Sequence, residues 1–171
     1  MRRAVVFLLW LLTSLGLAGC AGYRLGPTAG FDAGSRSVRV LPFANNTLEP
    51  RLPEAVVQAL REVLQEDGTY RVSTRGAADV ILTGTFLKYE RSGINYDPND
   101  VRTTEDFELR LTARVVARPA GGGKPLFDRE VSGRAIVRVQ GDQPGAELRT
   151  LPLLAEDLAR NISFLLVDGD W

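Results

Sequence analysis

The sequence predicts an α+β fold, a two-layer sandwich in which a mixed sheet of four or more strands carries two helices on one face. Between Phe107 and Val116 apolar and polar residues alternate, which is typical of a strand with one buried face. Two other segments, 54–65 and 151–166, repeat their apolar residues at helical spacing. The resulting order of strand, helix, strands and helix fits two helices packed on one side of a sheet.

The sequence of the first half of the domain predicts a strand, a helix and a second strand. Alternation in 37–43 predicts the first strand, and 45–47 predicts a turn after it. The helix of 54–65 has proline in its first turn and is followed by Asp67-Gly68, where glycine can adopt the left-handed conformation that ends helices. A strand at 70–73 follows directly.

The second half predicts the centre of the sheet. Segment 79–90 is rich in β-branched and aromatic residues and predicts a central strand. Segment 91–105 lacks an apolar period, so we expect a long polar connection there. The glycine-rich segment 120–125 predicts a hairpin that leads into a strand at 126–136, and Gly169 is expected to end the last helix.

The composition excludes several classes of function. The chain has 171 residues, 21 basic and 21 acidic side chains, no histidine and one cysteine. Without a basic excess, nucleic acid is not an expected partner. The absence of histidine removes the commonest general base and zinc ligand, so we expect no metal site and no cofactor.

The first twenty residues indicate a targeting segment. Two arginines precede the apolar run 4–17, which is shorter than the roughly 20 residues of a membrane-spanning helix. Leu17-Ala18-Gly19-Cys20 resembles the lipobox of bacterial lipoproteins. The resemblance implies a signal peptide at 1–19, an acylated Cys20 and an outer-membrane destination, because Ala21 stands where an aspartate would signal retention at the inner membrane. A stop-transfer helix and a buried free cysteine are the alternatives.

The mature chain is then expected to consist of a tether and one domain. Residues 20–35 are rich in glycine and predict a lipidated flexible tether, in which only Gly22–Leu25 alternates like a short strand. Residues 36–171 are long enough to bury a single core without disulfides.

Enzyme motifs are incomplete. Gly121-Gly122-Gly123-Lys124 lacks the earlier glycine and the following Ser or Thr of a phosphate-binding loop, so a hairpin turn is the better interpretation. No G-x-S-x-G motif occurs, and the acidic clusters at 66–67 and 97–100 stand beside turn residues. We therefore expect no catalytic residues and no enzymatic activity.

Two features suggest recognition instead. Lys88, Arg110, Arg114 and Arg134 are expected to form a basic stripe on the sheet face away from the helices, where arginine can bind phosphate or carboxylate. A solvated face with salt bridges to Glu108 and Glu130 is an equal alternative.

The second feature is a pair of apolar side chains in the polar connection. Ile94 and Tyr96 lie where no core period requires them, which is typical of interface anchors. A loop that folds back on its own domain is the alternative.

Three blocks resemble LptE, the lipopolysaccharide-assembly lipoprotein family: residues 19–25, 38–50 and 78–86. The resemblance implies a helix-on-sheet plug inside the LptD β-barrel of the outer membrane, which helps that barrel fold, contacts lipopolysaccharide and catalyses nothing. The alternatives are a periplasm-facing regulatory or structural lipoprotein, such as a peptidoglycan-synthase activator or a transporter accessory component, and an enzyme of unrecognised type.

Overall fold

A computed structural model of the chain describes residues 33–97, 100–139 and 142–168, with backbone alone for 95–97 and 100–105. The predicted signal peptide 1–19, Cys20, the short strand Gly22–Leu25 and the helix stop at Gly169 lie outside these residues.

The described chain forms a mixed sheet with two helices, which confirms the predicted fold class. The elements in chain order are β1 (Arg36–Val40), β2 (Ala44–Asn45), α1 (Leu52–Asp67), β3 (Tyr70–Val72), β4 (Val80–Asp97), β5 (Asp100–Pro119), β6 (Phe127–Arg138) and α2 (Gln143–Asp168). The sheet order is β3-β1-β4-β5-β6, and β2 pairs with β4 farther along the same edge as β1. β1 is parallel to β3 and β4, β2 is parallel to β4, and the β4–β5 and β5–β6 pairs are antiparallel.

Local chemistry explains where the helices begin and end. α1 has a proline in its first turn and ends at Gly68, whose φ of 73° is left-handed and whose N–H donates to the Leu64 carbonyl at 3.3 Å. α2 begins at Gln143, eight residues before the apolar stripe that predicted it. Asp142 accepts a hydrogen bond from the Gly145 N–H at 3.1 Å and so satisfies a free amide of the first turn.

The core lies between the sheet and the two helices. Along β5 every second residue from Phe107 to Ala117 is buried, as the alternation predicted. The apolar stripes of α1 and α2 meet this face, and α2 lies very close to β6 at Gly133. A Cβ there would lie 2.6 Å from the backbone nitrogen of Leu158, so only glycine fits.

The expectation of a long polar connection at 91–105 was wrong. β4 continues to Asp97 and β5 begins at Asp100, so most of the segment is a β-hairpin. Arg91 pairs with Leu109, Gly93 with Phe107 and Asp97 with Asp100, with register shifts toward the tip. Strands form here although the segment has no apolar period, because the backbone hydrogen bonds between strands do not depend on the type of side chain. Ile94 and Tyr96 therefore lie on a strand and not in a loop.

Candidate functional site

The sheet face opposite the helices, called the outer face here, carries all four cations of the predicted stripe. On β5 the outer residues are the even-numbered ones, from Glu108 to Arg118, which alternate with the buried core residues. Directly paired residues of antiparallel strands share a face. Arg110 is paired with Arg134, Arg114 with Glu130, and Lys88 with Thr112. The sequence thus identified the correct face.

Arg110 and Arg134 form the centre of the stripe. Their positions on β5 and β6 are directly opposite, a separation of about 5 Å between backbones that places two positive charges side by side. Arg110 also donates to Glu108 at 2.6 Å, and half of its side chain remains exposed. Within the described parts of the chain, the side chains of Lys88 and Arg134 have no hydrogen-bond or ion-pair partner. Glu90 on β4 stands directly opposite Arg110 on its other side, so two carboxylates, Glu90 and Glu108, lie beside the two arginines.

Arg114 is held more tightly than its neighbours. Its Nε and Nη2 donate to the two carboxylate oxygens of Asp128, each at 2.7 Å. This fork lowers the pKa of the Asp128 carboxyl and raises that of Arg114, in both cases chiefly through the hydrogen bonds. The expected salt bridge to Glu108 is made by Arg110. The guanidinium of Arg114 binds Asp128 instead of Glu130.

The structure adds two arginines that sequence reasoning missed. Arg39 on β1 pairs with Ile81 on β4, which pairs with Arg118 on β5, so these three residues form one row across the outer face. The Nε of Arg39 is buried and lacks a hydrogen-bond partner in the described structure. Because Arg39 lies between the apolar residues Val38 and Val40 of a strand, the sequence could have placed it on the outer face. Which residues lie beside it depends on the strand order.

A polar cluster joins the hairpin to α2 on the opposite, helix-facing side of the sheet. The Tyr89 hydroxyl donates to Glu147 at 2.5 Å, and Arg91 reaches the same carboxylate oxygen through Nε at 3.1 Å and Nη2 at 3.0 Å. Burial raises the pKa of Tyr89, and the hydrogen bond to Glu147 and its charge raise it further. The carboxylate of Glu147 is thereby paired although it is buried.

Apolar side chains are exposed on the hairpin and in the turn after β2. Ile94 on β4 is 48% exposed, and Leu48 is fully exposed in the turn after β2. Hydrogen bonds fix that turn: the Asn45 side chain accepts from the Thr47 amide at 3.0 Å and donates to the Glu49 carbonyl at 2.9 Å. The side chain of Tyr96 is not among those the structure describes.

Carboxylates are clustered in one other place. Glu62, Glu66 and Glu156 line a groove of about 300 Å³ between the two helices, where Glu156 is paired with Arg160. Among the described residues, no group of three or more potential ligands is arranged to hold a metal ion. Among the carboxyl groups of the described residues, Asp79 and Asp128 have a clearly shifted pKa, and hydrogen bonds lower both. No helix within the described ranges combines the length and hydrophobicity needed to cross a bilayer.

The fold belongs to a class of helix-on-sheet domains found in bacterial proteins. Similar solved structures include a minor lipoprotein from Acinetobacter baumannii, at 16% identity over 77% of this chain and 91% of that one, with a TM-score of 0.52. A protein from Chlamydia trachomatis has 9% identity over 77% and 95% of the two chains, and one from Xanthomonas campestris has 8% over 84% and 91%; both have a TM-score of 0.56. At these identities the likeness is one of fold.

A comparison of the sequence with protein families identifies the family. No curated protein sequence matches the chain. The model of the LptE family, described as lipopolysaccharide-assembly, matches residues 35–164, which is most of the chain. The protein therefore belongs to the LptE family, as the resemblance indicated.

Proposed function

We propose that the protein is an outer-membrane lipoprotein, anchored through acylated Cys20, that plugs and helps assemble an LptD-type β-barrel and takes part in lipopolysaccharide transport. Residues 1–19 are the signal peptide, 20–35 the lipidated tether and 36–171 the plug domain. Membership of the LptE family supports this role. The domain itself catalyses nothing and takes no cofactor in this proposal.

The single observation that carries the lipid-binding part is the opposed pair Arg110 and Arg134 on the outer face. Lipopolysaccharide presents phosphate and carboxylate groups, which guanidinium groups bind bidentately. Lys88, with Arg110 and Arg134, provides the available cations, and Arg114 would have to exchange Asp128 for a lipid anion. The mixed charges of the outer face also suit contact with a polar barrel lumen.

Lipopolysaccharide binding is tested with the double variant Arg110→Glu, Arg114→Glu. We expect weaker binding, with a difference from the parent that shrinks as salt concentration rises, because screening weakens contacts between exposed charges. The control is Arg51→Glu, Arg61→Glu, which makes the same charge change at α1, on the other side of the sheet. Unchanged binding of the outer-face variant at low salt would exclude the stripe as the lipid site.

The barrel partnership is tested by co-purification of the tagged full-length lipoprotein from detergent extracts. We expect a large β-barrel protein to co-purify, and the Cys20→Ala variant to be lost from the outer membrane because it cannot be acylated. Recovery of an inner-membrane synthase or transporter instead would favour the regulatory or accessory lipoprotein and would contradict the plug.

A further inference from the structure

Arg39 carries a charge that the described residues do not neutralise. Its Nε is buried and has no hydrogen-bond partner there, and the rest of the half-buried side chain makes no salt bridge or hydrogen bond with them either. A charged donor that is removed from water without a partner costs free energy, so such groups in proteins are normally paired. The orphaned Nε of Arg39 therefore indicates a place where an anion binds.

A second arginine stands on the same row of the outer face. Arg39 on β1 is directly opposite Ile81 on β4, and Ile81 is directly opposite Arg118 on β5. Because neighbouring strands lie about 4.8 Å apart, the backbones of the two arginines are about 10 Å apart. Arginine side chains are long enough to cover half of this distance each. Both guanidinium groups can therefore contact one ion above Ile81.

The carboxylate of Asp79, just before β4, is held by another group. It accepts hydrogen bonds from the Ser37 amide at 2.7 Å and from the Ser37 hydroxyl at 2.6 Å. These hydrogen bonds are the main cause of the lowered pKa of Asp79, and the arginines that lower it further are Arg71 and Arg36. Asp79 is therefore not the counterion of Arg39.

The carboxylate of Asp128, on the other side of the row, is also occupied. Hydrogen bonds from Arg114 lower the pKa of Asp128 most, and the charge of Arg118 lowers it further. Both carboxylate oxygens of Asp128 already accept from Arg114, each at 2.7 Å. Within the part of the chain that the structure describes, the side chain of Arg118 makes no hydrogen bond or salt bridge. The row thus contains two cations and no described carboxylate that pairs with them.

A phosphate group fits two arginines on either side of an apolar residue. Guanidinium groups bind phosphate and carboxylate through two parallel N–H···O hydrogen bonds. A carboxylate has two oxygens, which a single arginine already engages, whereas a phosphate has oxygens for an arginine on each side. The half-buried Ile81 between them excludes water from one side of the ion, which strengthens each charged contact.

This row is separate from the centre of the cationic stripe. Arg118 lies eight residues from Arg110 along β5, which is about 27 Å at the usual rise of a strand. One phosphate group cannot contact both arginines across that distance. A ligand at Arg39 and Arg118 therefore occupies a second site on the outer face.

We propose that Arg39 and Arg118 bind a phosphate group between their guanidinium groups, above Ile81. A phosphate of lipopolysaccharide and free inorganic phosphate share the chemistry that this site recognises. The lipid as the source of the phosphate rests on the proposed function, whereas the site itself does not.

The site is tested first with inorganic phosphate and the full-length lipoprotein in a nonionic detergent. A bound ion stabilises the folded protein, so we expect the midpoint of urea unfolding to rise with phosphate concentration. Sodium chloride at equal ionic strength is the control for screening. Arg39→Met keeps an apolar side chain but removes the charge, so its midpoint should rise no more in phosphate than in chloride. Without phosphate its midpoint should equal or exceed that of the parent, because an unpaired half-buried charge is gone.

A second pair of variants separates a defined site from a diffuse positive field. Arg118→Gln should weaken phosphate binding about tenfold, the effect of one lost hydrogen-bonded contact to a charged group. Arg71→Gln is the matched control, because it removes the same charge from the same face but from β3, outside the row. It should change the affinity by less than about twofold. Equal losses in the two variants, or a parent that responds to phosphate no more than Arg39→Met, would overturn the proposal.

The source of the phosphate is identified with lipopolysaccharide before and after removal of its phosphate groups. If the lipid supplies it, Arg39→Met should weaken binding of the intact lipid about tenfold and leave binding of the stripped lipid unchanged. If Arg39→Met binds both lipids like the parent while inorganic phosphate still stabilises the parent, the site takes the free ion. A parent that binds no lipopolysaccharide but responds to inorganic phosphate would contradict the proposed function and support the site.

Discussion

Individual residues on the outer face show a conflict between stability and binding. Arg110 and Arg134 stand directly opposite on β5 and β6, a like-charge contact that costs stability. Glu90, opposite Arg110 on β4, and Glu108, in a salt bridge with it, offset part of this cost. Ser132 and Thr112, the next pair on the same two strands, are neutral. The conflict is therefore confined to the place where the proposed lipid site needs positive charge.

This conflict predicts the effect of Arg134→Glu. The variant replaces a like-charge pair by an opposite-charge pair. The free energy of unfolding should rise toward the lower end of about 0.2–1 kcal/mol, because Glu90 and Glu108 already lie beside Arg110, while lipopolysaccharide binding weakens. Urea unfolding and a binding titration on the same sample measure the two effects. Ser132→Glu, which faces Thr112, is the control and should leave stability nearly unchanged. Loss of stability in Arg134→Glu would mean that Arg134 serves the fold.

At the scale of elements, the packing of α2 on β6 depends on a close approach. A Cβ at Gly133 would lie 2.6 Å from the nitrogen and 2.7 Å from the Cβ of Leu158, both of them in the helix that covers the strand. Neither the helix backbone nor the strand can yield without disturbing the core beneath.

Gly133→Ala is accordingly expected to lower the free energy of unfolding by about 1–3 kcal/mol, the usual cost of overpacking. Gly121→Ala is the matched control, because a Cβ at Gly121 has nothing within 4 Å and its φ is not left-handed. Chemical denaturation of the two variants gives the comparison. Equal stability of Gly133→Ala and the parent would mean that α2 does not pack this closely on β6.

The contact between the hairpin and α2 predicts a pH effect. Burial and Glu147 raise the pKa of Tyr89 above its ordinary value of 10.0. A raised pKa means that this group's contribution to stability is complete below pH 10 and declines as the pH rises past that value. The contact between the hairpin and α2 should therefore persist at neutral pH and weaken only in strongly alkaline solution.

Glu147→Gln tests this contact directly. Removal of the carboxylate charge should lower the pKa of Tyr89, which shifts the corresponding tyrosinate absorbance transition to lower pH. Tyr89→Phe identifies the transition by removing it, and Tyr70, whose pKa is raised chiefly by its own burial, serves as an internal reference. An unmoved transition in Glu147→Gln would show that burial alone raises the pKa.

For the whole molecule, the two surfaces of the sheet have separate roles. The inner face is covered by the helices, whereas the outer face carries the cationic stripe. In the proposed function the outer face meets the lipid, whereas the apolar contacts of the inner face stabilise the fold.

The sequence was sufficient for both helices, for most of the strands and for the faces of those strands. The alternation along β5 and the helical spacing in α1 identified the buried sides, because burial of apolar groups dominates the stability of both. The same alternation placed Arg110 and Arg114 on the outer face. It failed for 91–105, since a hairpin that extends past the helices has little core to face, and its backbone ladder leaves no apolar period in the sequence.

By itself, then, the sequence determined the fold class, the family and the face on which the cations lie. Only the tertiary structure decided that Arg134 opposes Arg110, that Asp128 accepts both hydrogen bonds of Arg114 and that Arg39 joins the same face. The physical reason is that periodicity is local to a segment, whereas strand order, register and edge coverage arise from pairings between residues far apart in the chain.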